Sequence, residues 1–220
     1  MTIPAVPTVA VGLVLAAGRA SRFGATKQVA EVAGLPMVAH AVATAHAAGL
    51  AEVFVVVGHD RAAVTEAARR GGHVVVVHNP EYARGQASSL RCGLEAVAAQ
   101  TDASVVVVLL ADQPGVRPEV VAAVADAAAA APDGLARARY ADVPGHPVGL
   151  DRRIWPRLVE LEGDAGARQL FDGYDVAVVR VGSGAPPDVD RPADLAGLLA
   201  GGGDRVDGAD AAGRVEEAPE

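Results

Sequence analysis

The sequence predicts an α/β fold in three layers, with a mainly parallel β-sheet covered by helices on both faces. Short apolar runs rich in β-branched residues alternate with longer helical stretches, which is the pattern of consecutive βαβ units. Hydrophobic residues make up 51% of the 220 residues and aromatic residues only 3%. The core must therefore be built from Ala, Val and Leu, and the length suffices for one well-buried domain.

The first half of the chain is divided into strands and helices by proline, glycine and capping residues. Pro36 stands near the first turn of one helix and Gly49 follows its last turn. Asp60 is positioned to cap the next helix, which Gly71 and Gly72 end. The predicted strands are 9–15, 53–57, 74–78 and 105–110, and the predicted helices are 37–48, 60–70, 88–99 and 118–131.

The regular alternation of predicted strands and helices ends after residue 132. Two short strands, 135–140 and 146–150, flank a predicted turn at 142–145, and a late strand covers 175–181. Further helices are predicted at 152–161, 164–171 and 194–200. We expect residues 1–200 to form a single domain. Residues 201–220 hold six acids and two arginines without a hydrophobic period, which predicts a disordered acidic tail.

Charge and composition narrow the classes of function. The formal net charge of −8 argues against broad binding to nucleic acid or to anionic membranes. The single cysteine, Cys92, excludes a disulfide framework within one chain. The N-terminal segment lacks the charged region of a secretory signal, and no apolar run is long enough to span a membrane. We therefore expect a cytoplasmic protein with no nucleic-acid or membrane partner.

The loop after the first predicted strand has the composition of an anion site. Leu15 ends the strand, and the loop that follows contains small residues, two arginines and then Lys27. Backbone N–H groups at a strand end form a nest that binds anions, and glycine allows a ligand to approach closely. An ordinary strand–turn–helix connection with solvated basic residues is the alternative. The small residues in question are Ala16, Ala17, Gly18 and Gly24.

Three loops, 16–27, 79–89 and 111–114, follow predicted strands directly. In open α/β sheets, ligands bind outside the carboxyl ends of the strands, so these loops should converge on one crevice. Asp112 lies in one of them, and a carboxylate beside a phosphate loop suits Mg²⁺. The alternative for Asp112 is a turn-forming residue before Pro114.

The segment LAAGRASRFGATKQV resembles the signature of the MobA-like nucleotidyltransferases, within the wider sugar-nucleotide pyrophosphorylase superfamily. The resemblance implies a Rossmann-like nucleotide-diphospho-sugar transferase fold whose first loop wraps the phosphates of an NTP. It further implies that Arg22 and Lys27 are catalytic and neutralise charge as pyrophosphate leaves. Ala17 gives the form LAAG, which is more typical of the molybdenum cofactor cytidylyltransferase branch, and this favours CTP over GTP.

Further motifs extend the resemblance over about residues 9–200. It implies that Asp112, in LLADQPG, and Asp190, in DVDRPAD, hold the catalytic Mg²⁺. Asp190 also has the alternative role of capping the last helix. Segment 79–93 resembles the part that contacts base and ribose, which implies nucleotide-binding roles for Gly85, Ser88 and Ser89. Simple helix capping by a serine is the alternative there.

Two later motifs resemble the family's acceptor-facing segments. Gly145-His146-Pro147 and GDAGAR imply acceptor-binding roles for His146, Asp164 and Arg168. Pro144 stands where the cytidylyltransferases usually have an arginine, which weakens the inference about the acceptor.

The resemblance implies transfer of CMP from CTP to the terminal phosphate of molybdopterin or its molybdenum form. A molybdenum hydroxylase would then be a partner. Another phosphorylated metabolite or sugar phosphate remains an alternative acceptor. A non-catalytic chaperone that protects molybdenum cofactor, or a relative recruited to redox chemistry, is an alternative of a different class.

Overall fold

The computed structural model describes residues 8–19, 23–141, 143–158, 171, 173–191 and 193–194. The strands of the described chain are β1 (Ala10–Leu15), β2 (Glu31–Val32), β3 (Leu35–Pro36), β4 (Val53–Val57), β5 (Val75–His78), β6 (Val105–Leu110), β7 (Leu135–Tyr140), β8 (Val143–Asp151) and β9 (Ala177–Val181). Its α-helices are α1 (Met37–Ala47), α2 (Arg61–Arg69), α3 (Gln86–Gln100), α4 (Pro118–Ala130) and α5 (Trp155–Leu158).

Seven of these strands form one sheet in the order β5-β4-β1-β6-β8-β7-β9. Strands β5, β4, β1 and β6 run parallel to one another. Strand β8 is antiparallel to both of its neighbours, and β9 is again parallel to β7. The predicted mainly parallel sheet is therefore confirmed, with one antiparallel strand inserted between β6 and β7.

Helices cover both faces of this sheet, so the predicted three layers are also confirmed. Helices α1, α2 and α4 pack on one face, where their apolar side chains join alternate residues of the strands. Helix α3 and the segment around Trp155 pack on the other face. Gly93 brings α3 close to the sheet, because a Cβ atom there would lie 2.5 Å from Leu13 Cδ1. Valine, leucine and alanine dominate both clusters, as the composition predicts.

The structure corrects three local predictions. The predicted turn at 142–145 is wrong for Val143 to Gly145, which belong to β8 and pair with β7. Asp60 does not cap α2 with its side chain; its backbone is left-handed, and its carboxylate accepts a hydrogen bond from Thr26 Oγ1 instead. Helix α3 begins at Gln86, two residues before the predicted start.

The carboxyl ends of β1, β4, β5, β6, β7 and β9 lie at one edge of the sheet, because all six run in the same direction. The loops after β1, β5 and β6 therefore meet at this edge, as predicted. Residues 164–170 of the helix predicted at 164–171, residues 195–200 of the helix predicted at 194–200 and the predicted tail 201–220 lie outside the described residues. Among the described helices, none has the length and apolar character needed to cross a membrane.

Candidate active site

A cleft lies at the carboxyl edge of the sheet, beyond the ends of β1 and β6. Its walls come from the first loop, the segment after β5 and the segment after β6, and Asp190 closes one side. The predicted site residues that line it are Leu15, Ala17, Gly18, Lys27, Gly85, Ser89, Asp112 and Asp190. Three predicted nucleotide-binding residues, Ala16, Gly24 and Ser88, are not among its lining residues.

The loop after β1 is held in shape by hydrogen bonds to its carbonyl oxygens. Gln28 donates from Nε2 to the carbonyls of Ala16 and Gly18, at 3.3 and 2.8 Å, and the N–H of His59 donates to the carbonyl of Ala17 at 3.1 Å. Gln28 is only 3% exposed. Gln28 therefore fixes the conformation of the predicted phosphate loop through its side-chain amide. The sequence analysis missed this residue, because a glutamine after a lysine carries no signal by itself.

Lys27 lies between the two predicted metal ligands. Its ammonium donates to Asp112 Oδ2 at 2.7 Å and to Asp190 Oδ1 at 2.9 Å. The two carboxylate oxygens are therefore no further apart than the sum of these distances. The Lys27 side chain is 13% exposed, whereas those of Asp112 and Asp190 are 24% and 47% exposed. Asp112 and Asp190 lie 85 and 163 positions from Lys27 in the sequence, yet both carboxylates contact its ammonium group.

Burial and charge act in opposite directions on the pKa of Lys27. Burial lowers this pKa, but the hydrogen bonds and negative charges of Asp112 and Asp190 together outweigh burial. The pKa of Lys27 therefore lies above its ordinary value of 10.5, and the side chain stays an ammonium ion at neutral pH.

The position of Asp190 depends on contacts between its own segment and the loop after β6. The N–H of Val189 donates to the carbonyl of Asp112 at 3.1 Å, and Val189 is fully buried. Gln113 donates from Nε2 to Asp188 Oδ1 at 2.6 Å. These two bonds join the segment before Asp190 to the loop after β6, so they hold this segment against Asp112. Asp188 thus helps to position Asp190.

Asp194 bonds the backbone of the segment that contains Asp190. Its Oδ2 accepts hydrogen bonds from the N–H groups of Asp190 and Arg191, at 2.9 and 2.7 Å. The carboxylate of Asp190 accepts a hydrogen bond from Lys27, and its alternative role as a helix cap stays a prediction.

The chemistry of Asp112 and Asp190 fits a hard divalent cation. Two carboxylate oxygens already converge on one positive charge, and Mg²⁺ is typically held by one or two carboxylates together with substrate phosphates. Among the described residues, no group of three or more His, Cys, Asp or Glu side chains forms a complete protein-only cage. A site of this kind would take its remaining ligands from phosphate oxygens and water.

Asn79 organises the segment after β5. It is 2% exposed, and its Nδ2 donates to Ser88 Oγ and Ser89 Oγ, each at 3.0 Å. Its Oδ1 accepts from the N–H of Glu81 at 2.9 Å. Neither serine is the N-cap of α3, since Gly85 holds that position with φ of 105°. Ser88 is thus a buried structural hydroxyl, whereas Ser89 reaches the cleft wall.

Tyr82 forms part of the same wall, which the sequence analysis did not predict. Its Cβ packs on Gly58, where an added Cβ would lie 2.6 Å away. The Arg19 guanidinium lies 5.5 Å from the centroid of the Tyr82 ring, within the range of a cation–π interaction. An aromatic ring and a positive charge therefore flank the cleft beside the loop after β1.

Of the three predicted acceptor-binding residues, the structure describes only His146. His146 is not among the residues lining the cleft with Lys27. Because β8 pairs Val148 with Val108, His146 lies two residues further toward the carboxyl end of β6, at the edge where Asp112 is. A register shift between β7 and β8 leaves His146 and Pro147 outside the ladder. Predicted site residues outside the described chain are Arg22, Asp164 and Arg168.

Tyr140 fixes this irregular segment. Its hydroxyl donates to the carbonyl of His146 at 2.8 Å, and its ring packs against Gly145. Burial raises the pKa of Tyr140 from 10.0 to about 12, with a smaller opposing effect from Arg117. The phenol therefore remains a donor throughout the neutral and mildly alkaline range.

The fold and the arrangement of loop, lysine and carboxylates define an NTP transferase domain. Residues 12–178 match the family model of the MobA-like NTP transferase domain. The chain belongs to this family, as the sequence analysis expected.

Curated relatives match over part of their length. The "Bifunctional protein GlmU" of Sorangium cellulosum is 32% identical over 150 residues, which are 64% of this chain and 31% of that protein. The protein of the same name from Thiobacillus denitrificans is 29% identical over 77% of this chain and 36% of its own length. The chain therefore spans about a third of the length of these relatives.

Solved structures match over nearly their whole length. Rv0371c from Mycobacterium tuberculosis H37Rv is 32% identical, with a TM-score of 0.76 over 89% of this chain and 99% of that chain. A structure of the same protein in complex with manganese has a TM-score of 0.73 at 31% identity, over 88% of this chain and 99% of that chain. CMP:2-keto-3-deoxy-manno-octonic acid synthetase complexed with CTP matches at 19% identity and a TM-score of 0.68, over 88% and 98%, which shows the shared fold.

Proposed function

We propose that the protein is a Mg²⁺-dependent nucleotidyltransferase that transfers CMP from CTP to the terminal phosphate of molybdopterin or its molybdenum form. The observation that carries this proposal is the position of Lys27 between Asp112 and Asp190, beside the loop after β1. A nest of backbone groups, one permanent cation and two convergent carboxylates are what a triphosphate–metal complex requires.

The reaction needs charge neutralisation and positioning more than covalent chemistry from the protein. An oxygen of the acceptor phosphate forms a bond to the α-phosphorus of CTP, and the bond from that phosphorus to the bridging oxygen breaks. Pyrophosphate leaves with the electron pair. A phosphate is already ionised at neutral pH, so no general base is needed.

Each part of the cleft has a role in this scheme. The loop of Ala17 and Gly18, fixed by Gln28, receives the triphosphate, and Lys27 neutralises charge on it. Asp112 and Asp190 would hold Mg²⁺, which when bound supplies further positive charge to the phosphates. We also propose Arg22 as a second cation, because of its place in the sequence motif.

Support for CTP and for the acceptor comes from outside the geometry of the cleft. The LAAG form of the loop favours cytosine, and a fold relative has been solved with CTP. The motifs around His146, Asp164 and Arg168 support molybdopterin as the acceptor, and a molybdenum hydroxylase would then receive the product.

A turnover assay that pairs each NTP with molybdopterin and Mg²⁺ tests this proposal. We expect pyrophosphate release with CTP, and loss of at least about 10²-fold in turnover for Asp112→Asn, comparable to removal of one charge-stabilising group. The exposed Asp126 on α4 provides the matched control, since Asp126→Asn changes the same charge away from the cleft. Absence of pyrophosphate release with CTP and molybdopterin would contradict the acceptor, and unchanged activity of Asp112→Asn would contradict the metal role.

The same chemistry on another phosphorylated acceptor is a second candidate, and Pro144 favours it. This residue replaces the arginine expected before Gly145, yet it pairs in the β7–β8 ladder with Arg139. The arginine of this region therefore stands on the neighbouring strand, which favours an acceptor whose charged groups are placed differently. Replacing molybdopterin by other phosphorylated metabolites in the same assay distinguishes the two acceptors.

A further inference from the structure

Arg19 lines the cleft without a carboxylate partner. It follows Gly18 in the loop after β1, it is exposed, and it shares the cleft with Lys27. Within the residues that the structure describes, Arg19 forms no ion pair, and its guanidinium contacts the ring of Tyr82. Lys27, by contrast, already bonds two carboxylates. Of the two described cations in the cleft, Arg19 is therefore the one whose charge no acidic side chain offsets.

A packed aromatic ring sets the position of the Arg19 guanidinium. Its Cζ atom lies 5.5 Å from the centroid of the Tyr82 ring, which is within the range of a cation–π interaction. Tyr82 packs with the core and lies against Gly58, where an added Cβ would be 2.6 Å from the tyrosine Cβ. The ring of His59 lies 6.2 Å from that of Tyr82, between centroids. Tyr82 therefore cannot move toward the turn after β4, and it keeps Arg19 on this side of the cleft.

The contact with Tyr82 leaves the donors of Arg19 available to a ligand. A guanidinium has five N–H donors, and an aromatic ring offers them no acceptor oxygen. These donors match the oxygens of a phosphate, which arginine binds in a bidentate manner. Because the ring already restricts the long side chain, less conformational entropy is lost when an anion binds. Arg19 is therefore preorganised for a phosphate group in the cleft.

The order of the strands indicates which phosphates Arg19 can reach. Tyr82 follows β5 and packs on the turn after β4, whereas Asp112 follows β6 and the proposed acceptor residue His146 is part of β8. Since the order is β5-β4-β1-β6-β8, Arg19 lies on the side of β1 away from Asp112 and His146. The attacking and leaving oxygens of such a transfer lie roughly in line through the phosphorus. An acceptor that attacks from the side of β8 therefore expels pyrophosphate toward the side of β4, where Arg19 lies.

We propose that Arg19, positioned by Tyr82, binds the β- and γ-phosphates of the nucleotide and the pyrophosphate that they become. When the bond between the α-phosphorus and the bridging oxygen breaks, its electron pair passes to the β-phosphate. The Arg19 guanidinium donates hydrogen bonds to the oxygens that gain this charge. Tyr82 is a positioning residue, because it acts through Arg19. This inference rests on the proposed function, since it assigns a residue to the leaving group of that reaction.

Inorganic pyrophosphate with Mg²⁺ tests the proposal without CTP, molybdopterin or turnover. In titration calorimetry, Arg19→Gln should bind pyrophosphate at least about tenfold more weakly than the wild-type protein, because a charge-assisted bidentate contact is lost. CMP lacks the β- and γ-phosphates, so its affinities for the two proteins should agree within about twofold. Arg69→Gln is the matched control, because Arg69 is the exposed last residue of α2, and it should bind pyrophosphate as the wild-type protein does.

A pair of variants tests the positioning role of Tyr82. Tyr82→Leu removes the ring and should weaken pyrophosphate binding by about threefold or more, whereas the conservative variant Tyr82→Phe keeps the ring and should bind more tightly than Tyr82→Leu. Adding Tyr82→Leu to Arg19→Gln should cause no further loss, because Tyr82 acts through Arg19. Thermal melting shows whether each variant is folded, and Arg19→Gln, at an exposed residue, decides the proposal if Tyr82→Leu does not fold.

Equal affinity of the wild-type protein and Arg19→Gln for pyrophosphate would overturn the proposal, as would an equal loss of affinity in Arg69→Gln. A loss of CMP affinity in Arg19→Gln as large as the loss of pyrophosphate affinity would also overturn it, since Arg19 would then act on the α-phosphate or the nucleoside. Failure of CMP transfer to molybdopterin would refute the proposed function and leave the pyrophosphate result intact. The two failures are therefore distinguishable.

Discussion

Replacing Lys27 with methionine should make the stability of the protein strongly dependent on Mg²⁺. The Lys27 ammonium bonds both Asp112 and Asp190, so its removal leaves two carboxylates that face the same space without a counter-charge. A divalent cation that binds these carboxylates would then stabilise the variant more than the wild-type protein, in which the ammonium competes for the same oxygens.

The size of the effect follows from burial. Breaking a fully buried ion pair costs about 3–5 kcal/mol, but Asp112 and Asp190 are 24% and 47% exposed, so we expect about 1–2 kcal/mol here. For a domain of this length, that corresponds to a melting temperature lower by roughly 2–8 °C. A cation present at ten times its dissociation constant contributes about 1.4 kcal/mol, which is enough to recover most of the loss.

Thermal unfolding at several Mg²⁺ concentrations measures this directly. The Mg²⁺-induced rise in melting temperature should be larger in Lys27→Met than in the wild-type protein, and it should disappear when Asp112→Asn is added to Lys27→Met. A rise no larger than that of the wild type would refute the role of this carboxylate pair in cation binding. Turnover of Lys27→Met should be reduced at least about 10²-fold whatever the metal concentration.

Two other substitutions test the supports of the cleft. Tyr140→Phe removes the hydrogen bond to the carbonyl of His146, so it should lower the free energy of unfolding by about 1 kcal/mol. It should also raise the acceptor KM while the CTP KM stays constant, and an equal rise of both KM values would contradict this assignment. Because burial raises the pKa of Tyr140 to about 12, its contribution to stability should be lost as the pH rises above 10, and denaturant unfolding should show no such component in Tyr140→Phe. Asn79→Ala removes the amide that joins Ser88 and Ser89, so it should lower the free energy of unfolding by about 2–4 kcal/mol and raise the CTP KM. Unchanged stability in urea would show that other contacts hold the two serines in place.

Most of the fold could be predicted because its signals are local. Four apolar runs separated by helices specify β1, β4, β5 and β6, and proline or glycine marks most of the boundaries. The antiparallel insertion of β8 could not be predicted, since strand order depends on contacts distant in sequence. Val143 to Gly145 were predicted as a turn from their composition, but pairing with β7 overrides that local preference.

The candidate site was predictable to the extent that single residues stand at strand ends. Asp112 and the loop after β1 have such positions, and both line the cleft. Gln28, Asn79 and Tyr82 were not assigned roles, because their contacts join segments that fold together only in three dimensions. Arg22, Asp164 and Arg168 keep their predicted roles as proposals.

The carboxylate pair depends on how the chain returns after β9. Asp190 is brought to Asp112 by a fully buried Val189, whose N–H bonds the carbonyl of Asp112, and by the bond between Gln113 and Asp188. The returning segment starts from β9. The distance between Asp112 and Asp190 is therefore set by contacts between the loop after β6 and this segment, which the spacing of the two residues in the sequence does not determine.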